Sequence, residues 1–355
     1  MIFVLSFIIL LSVLVFVHEL GHYMAARSVG MRVEKFYIGF NLFGLGFHKT
    51  INGTEYGIGL VPLGGYVKVA GVLDESMDST TTGAPDEFNS KNTLEKMWFL
   101  SAGVIMNTLL AIVIFSAITF NLGLSDSSTE PVIGQLLQNH PADSAGLIIG
   151  DKILSINEIP VSSWQELTNA IHNLPDQKIK MRWERNAQIF TDSIHTIKTR
   201  RLIDNEIKDI GMIGIAPVII EKEAGLLQSI QNGVEQTVYW FKMTITSLGM
   251  IFSGSASIKD IGGPIIIAKM AGETAKAGIW NWLNFMAIIS INLAFLNVLP
   301  IPGLDGGHMF FTIIEGIFRR EIPPRIKMGI QQFGMLILLI LMVIVIYNDV
   351  TRIIN

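Results

Sequence analysis

The sequence predicts a polytopic α-helical membrane protein of about four transmembrane helices, one of them broken. A membrane-associated β-hairpin or small sheet and one extracytoplasmic β-rich domain complete it. Three observations predict this class. Only 16% of the 355 residues are charged, against about 25% in a soluble domain, and the mean hydropathy is +0.48. Apolar runs occupy 2–26, 97–122, 283–318 and 334–347, on the scale of the roughly 20 residues that cross a hydrocarbon core. Residues 131–200 instead alternate apolar and polar in short, turn-bounded segments.

Taken in order, the first run lacks a basic leading segment and a small-residue cleavage site, so it reads as a retained span and not a signal peptide. FYIGFNLFGLGF and TEYGIGLVPLGGYVKV follow, rich in aromatic, β-branched and glycine residues; they read as a hairpin or small sheet, apolar enough to dip into the membrane. Residues 74–93 are polar and aperiodic, a mobile cytoplasmic loop. Beyond the second span, VIGQLL, DKILSIN and KIKMRWER read as strands and SWQELTNAIH as a short helix with a serine cap. Residues 229–254 are helical and open to two readings, a fifth span or an amphipathic helix on the outer membrane surface. Glu235 and Lys242 interrupt the stretch and its apolar core is short, which favours the surface. The run at 283–318 is broken by Pro300 and Pro302, each lacking an N–H and clashing one turn back. The chain thus divides into 1–122, 123–228, 229–282 and 283–355.

Charge orients these elements. Arg27, Arg32 and Lys35 follow the first span, Lys91 and Lys96 precede the second, and Arg319, Arg320, Arg325 and Lys327 separate the last two runs. Those segments belong in the cytoplasm, leaving both termini and 123–280 on the other side. A net charge of −4 offers no basic surface for nucleic acid. With no cysteine, any metal must be held by His, Asp or Glu.

The chemistry starts at VFVHELGHYMAAR. His18 and His22 are four apart on one helix face, with Glu19 beside them, the H-E-x-x-H arrangement that presents two imidazoles to one zinc. The bland alternative is a pair of core histidines at a helix end. Ionisable residues inside a span are costly, however, and default to function. A catalytic zinc needs one more protein ligand and an open position. Asp305, in NVLPIPGLDGGHMF, is the only carboxylate between Glu273 and Glu315 and lies at a similar depth. His308 lies near it, but a fourth ligand would close the position that water needs.

PADSAGLIIGDKILSINEIPVSSWQEL resembles a PDZ domain, spanning about 131–200. HELGH, LVPLGGYVKV, GVIMN in the second span, that domain and NVLPIPGLDGG together resemble the site-2 protease family of intramembrane zinc metalloproteases, in its bacterial RseP type. The resemblance implies His18, His22 and Asp305 as Zn2+ ligands, Glu19 as general base, and Asn297, Asn107, Gly64 and Gly65 as substrate-binding residues. For Asn297 and Asn107 the plain reading is polar glue between spans. It further implies a multi-pass protein of the bacterial inner membrane with its PDZ domain in the periplasm. Its partners would be the lipid bilayer and single-span membrane proteins, of the anti-sigma factor or signal-peptide remnant type, cut in regulated intramembrane proteolysis. The PDZ domain would bind a peptide or act as a size filter. Close relatives carry two PDZ domains where this chain has room for one, and GVIMN lacks a proline. A non-catalytic PDZ adaptor with a structural metal is the rival reading; the glutamate beside the histidines disfavours it.

Overall fold

Gly30 shows how locally the first helix is ended. In the computed structural model, which describes residues 2–41, 46–72, 83–203, 206–254 and 262–354, α1 spans Ile2–Ser28. Gly30 takes a left-handed φ of +67°, its N–H donating to Arg27 O and that of Met31 to Ala26 O. This closure satisfies carbonyls that the helix end would strand. Strands β1 (Val33–Phe40), β2 (Gly46–Ile51), β3 (Thr54–Gly59) and β4 (Val61–Val69) follow, in spatial order β2-β3-β1-β4. β1 runs parallel to β3 and antiparallel to β4, pairing Tyr37 with Tyr66 and Ile38 with Gly65. The Tyr37 and Tyr66 rings stack 5.1 Å apart. β4 is an edge strand. Of the polar loop expected at 74–93, residues 74–82 lie outside the described residues. In the stretch that follows, Arg32 N–H donates to Asp86 O and Phe88 N–H to Ala70 O.

α2 (Thr93–Leu122) is the second long apolar helix. From Phe120 to Gly225 the chain forms a compact unit of its own. It contains β5 (Leu124–Ser127), β6 (Ile133–Leu136), α3 (Pro141–Ser144), β7 (Lys152–Ile156), β8 (Ile159–Pro160), α4 (Trp164–His172), β9 (Lys178–Arg185), β10 (Gln188–His195), β11 (Ile197–Ile203), β12 (Glu206–Met212), β13 (Ile215–Pro217) and β14 (Ile219–Lys222). One sheet has the order β10-β9-β7-β8, and β6 pairs with β13. Ile133, Ile153, Leu167, Ile179 and Met181 form its dry centre. The serine cap on α4 is present: Ser163 Oγ accepts from Glu166 N–H, whose carboxylate in turn accepts from Ser162 N–H. The fully buried Asp151 carboxylate receives Arg185 Nε and Nη2, both at 2.7 Å.

The remaining elements are α5 (Leu226–Phe252), α6 (Pro264–Ala277), α7 (Ile279–Val298), α8 (Asp305–Phe318) and α9 (Pro324–Ile354). Among the described residues, four helices are long and apolar enough to cross a membrane: Ile2–Ser28, Thr93–Leu122, Ile279–Val298 and Pro324–Arg352. The expected break is present, α7 ending before Pro300 and α8 restarting at Asp305. Leu10 and Leu14 of α1, Ala111 and Phe115 of α2, Ala271 of α6 and Ile291 of α7 form the centre between the helices. α6 was not foreseen as a separate helix; the Asp349 carboxylate of α9 caps it, accepting from Gly263, Ile265 and Ile266 N–H at 2.8–3.1 Å.

α5 covers most of the stretch at 229–254, is not among the helices long and apolar enough to cross a membrane, and packs against α2 and α7. Asn232 Nδ2 donates to Thr119 Oγ1 at 2.6 Å near the end of α2, whereas Thr244 Oγ1 donates to Asn292 Oδ1 at 2.7 Å, thirteen residues into α7. At 1.5 Å per residue that depth is about 20 Å, so α5 stands beside the other helices and does not lie across their ends. The reason is a stripe of small buried residues at four-residue spacing, Ser229, Gly233 and Thr237, which lets helix backbones approach closely. Hydropathy does not register such a stripe.

Candidate metal centre

The site is built from four helices and one strand edge. The helical repeat places His18 and His22 one turn apart on α1, ring centroids 4.8 Å from each other, both largely buried. His22 Nδ1 lies 2.9 Å from the Phe99 carbonyl of α2, so Nδ1–H donates there and Nε2 is left with its lone pair. Asp305 opens α8 just after the break. Gly306 and Gly307 allow this turn, since a Cβ on either would collide with backbone between Val298 and Pro302.

His18 Nε2 lies 3.2 Å from His22 Nε2 and 3.0 Å from Asp305 Oδ2, and the third side of the triangle is 3.3 Å. Bonds of about 2.0–2.2 Å to zinc imply separations of roughly 3.3 Å between ligands at tetrahedral corners. Asp305 Oδ2 is buried and receives no hydrogen bond despite two ring nitrogens within 3.3 Å. Two imidazole lone pairs and a carboxylate oxygen converging without a donor fit a cation, and the nitrogen and oxygen donor set suits zinc. Among the described residues this is the only such group of three.

Glu19, next to His18, is half-buried and accepts a hydrogen bond from Val67 N–H on β4. Asn297, in the last turn of α7, brings its amide within 3.5 Å of His18 Nε2. Asn107 is fully buried in α2, its amide 3.4 Å from His18 Nδ1. Gly64 and Gly65 stand on β4 and not among the ligands. Gly64 has φ +131° and a Cβ on Gly65 would lie 2.6 Å from Tyr37 O, so each has a backbone reason to be glycine. Gly65 precedes Val67 by two residues and so shares its edge. His308 turns away, its Nε2 2.7 Å from Gln331 Nε2 of α9.

Two contributors escaped the sequence reading. The Phe99 carbonyl and the Val67 amide are backbone groups and leave no signal in side-chain identity. For Gly103, the glycine of GVIMN one turn before Asn107, the structure supplies the reason: a Cβ there would lie 2.6 Å from both His18 Nδ1 and His22 Nε2, so its absence lets α2 rest on the two rings.

The model of peptidase family M50 matches residues 6–341. The chain belongs to peptidase family M50. It is therefore a metalloprotease, and its four apolar helices make it a multi-pass membrane protein. A Rickettsia conorii protein with zinc metalloprotease in its name is 33% identical over 99% of both chains. A Clostridium perfringens protein similarly named is 33% identical over 96% of both. Zinc metalloprotease RasP of Geobacillus kaustophilus is 30% identical over 98% of both. A solved PDZ domain of an SdrC-like protein from Listeria monocytogenes covers 27% of this M50 chain and 92% of its own, at 19% identity and a TM-score of 0.20, too slight a likeness to argue from.

Proposed function

We propose that this M50 chain is a zinc-dependent intramembrane endopeptidase that cuts single-span membrane proteins. The observation that carries this reading is the triangle of His18 Nε2, His22 Nε2 and Asp305 Oδ2, with sides of 3.0–3.3 Å, among the membrane helices. Zinc held there supplies a Lewis acid that lowers the pKa of water and polarises the scissile carbonyl. Glu19 takes the proton from the attacking water and returns it to the leaving amine; the Val67 N–H holds its carboxylate in place. A transmembrane helix hides its backbone and must unwind to be cut. β4 is an edge strand of its sheet and its backbone at Gly65 offers the unwound segment a strand to pair with, while the Asn297 amide donates to the backbone of that segment. Pro300 and Pro302 interrupt the helix beside the site; broken backbone at this depth must be buried in protein or line a wet cavity, and a hydrolase in a membrane needs such a cavity for its water.

In this reading the protein resides in the bacterial inner membrane with residues 131–200 a periplasmic PDZ domain, and its substrates are anti-sigma factors or signal-peptide remnants in regulated intramembrane proteolysis. The domain excludes substrates with bulky outer parts; deleting 131–200 then permits cleavage of untrimmed substrate, and unchanged selectivity counts against the filter. Glu19 beside the ligands opposes a merely structural metal, which needs no base. The test is reconstitution in liposomes with a single-span substrate, comparing the native chain with Glu19→Gln. Cleavage lost in the variant supports the reading. Equal cleavage by both refutes Glu19 as base, and no cleavage by the native chain of a substrate that RasP cuts favours the adaptor.

A further inference from the structure

Asn107 sits where no solvent reaches, and its surroundings contain a contradiction. Its amide nitrogen faces His18 Nδ1 at 3.4 Å, while its amide oxygen is buried with no hydrogen-bond partner. His18 directs Nε2 toward His22 and Asp305. If that nitrogen gives its lone pair to a cation, the neutral ring carries its proton on Nδ1. An N–H of the amide would then face an N–H of the ring. Turning the amide by 180° about its last bond exchanges oxygen and nitrogen at almost no steric cost. The orphaned oxygen then accepts the Nδ1 proton, and one repulsive pair disappears.

We infer that Asn107 is a positioning residue for the metal centre, its amide oxygen accepting from His18 Nδ1–H, and not a substrate-binding residue. The inference rests on the zinc-site reading above. It gives the two histidines matching supports, both from α2: the Phe99 carbonyl for His22 and the Asn107 amide for His18. Partners of this kind fix the tautomer and the ring orientation of a metal-bound histidine and raise its basicity. The arrangement is itself held, because Ser290 Oγ of α7 donates to the Asn107 backbone carbonyl at 2.8 Å, with both residues fully buried. Gly103, one turn earlier, brings the α2 backbone close enough for the amide to reach the ring.

Zinc affinity of the full-length protein in detergent, measured by competition with a chromophoric chelator, tests this separately from proteolysis. Asn107→Ala should bind zinc 10–100-fold more weakly than the native chain, the usual cost of losing such a partner. Asn107→Asp keeps the size and supplies an acceptor that needs no rotation, so its affinity should equal or exceed the native value. Melting temperatures of the metal-free forms show whether either variant is misfolded. Should Asn107→Ala fail to fold, Asn107→Asp decides alone: native or tighter affinity supports the inference, and affinity weakened tenfold overturns it. Native zinc affinity in Asn107→Ala, with a raised KM for cleavage, would also overturn it and return Asn107 to the substrate. A native chain that binds zinc tightly, loses it on Asn107→Ala and yet cuts no substrate would refute the protease reading while supporting this one. A native chain that binds no zinc would overturn both.

Discussion

Replacing Gly103 by alanine adds one methyl group at the point where α2 rests on the two histidines. That carbon would lie 2.6 Å from His18 Nδ1 and from His22 Nε2, and closer still to His18 Cε1. Comfortable contact between such atoms is about 3.5–4.0 Å, so the rings or the helix must retreat by roughly 1 Å. Neither can do so freely. His22 is bonded at 2.9 Å to Phe99 O, on the same helix α2, so withdrawing the helix stretches the bond that orients the ring. Overpacking of this kind costs about 1–3 kcal/mol in stability, and a misplacement of about 1 Å in catalytic geometry costs on the order of 100-fold in rate. Gly103→Ala should therefore lower kcat/KM on a single-span substrate in liposomes by about two orders of magnitude, with weakened zinc binding and a modest fall in Tm. Gly249→Ala is the control, since nothing lies within 4 Å of a Cβ there and alanine favours a helix over glycine by up to about 1 kcal/mol. Cleavage by Gly103→Ala within threefold of native would refute the idea that α2 holds the rings by direct contact.

The absence of native cysteine makes Thr244→Cys with Asn292→Cys a clean pair; their side chains meet at 2.7 Å, so oxidation should cross-link α5 to α7, and an uncross-linked pair would refute this packing. Asp349→Ala removes an acceptor shared by three N–H groups at the start of α6; at about 1–3 kcal/mol for buried groups left unpaired, Tm of the purified protein should fall by several degrees, and an unchanged Tm would refute the cap. Burial and the neighbouring Arg201 push the His172 imidazole below its ordinary pKa. As pH falls through the unfolded value of about 6.5, the unfolded chain takes up a proton that the folded unit resists, so stability declines from there downward. Proteolysis within 120–225 should accelerate between pH 7.5 and 5.5, less so in His172→Gln; identical acceleration in both would exclude His172 as the cause.

Much of the site is legible in the sequence because helical periodicity is local. His18, Glu19 and His22 share one helix by their spacing alone, and two prolines break the later run however the rest folds. Composition likewise forces a membrane class, since the cost of hydrating long apolar runs does not depend on their partners. What the sequence leaves open is whatever depends on close approach. The convergence of Asp305 with the two histidines was an inference from the scarcity of carboxylates; the 3.0–3.3 Å triangle exists only because α1 and α8 meet. The packing of α5 was not legible because hydropathy averages over faces, while the small stripe at Ser229, Gly233 and Thr237 decides contact. The supports of the site, Phe99 O for His22 and Val67 N–H for Glu19, are backbone groups available at every residue. Side-chain identity determined which groups could do the chemistry; only the tertiary structure decided which backbone groups hold them, because a peptide carbonyl or amide acquires a partner through position and not through type.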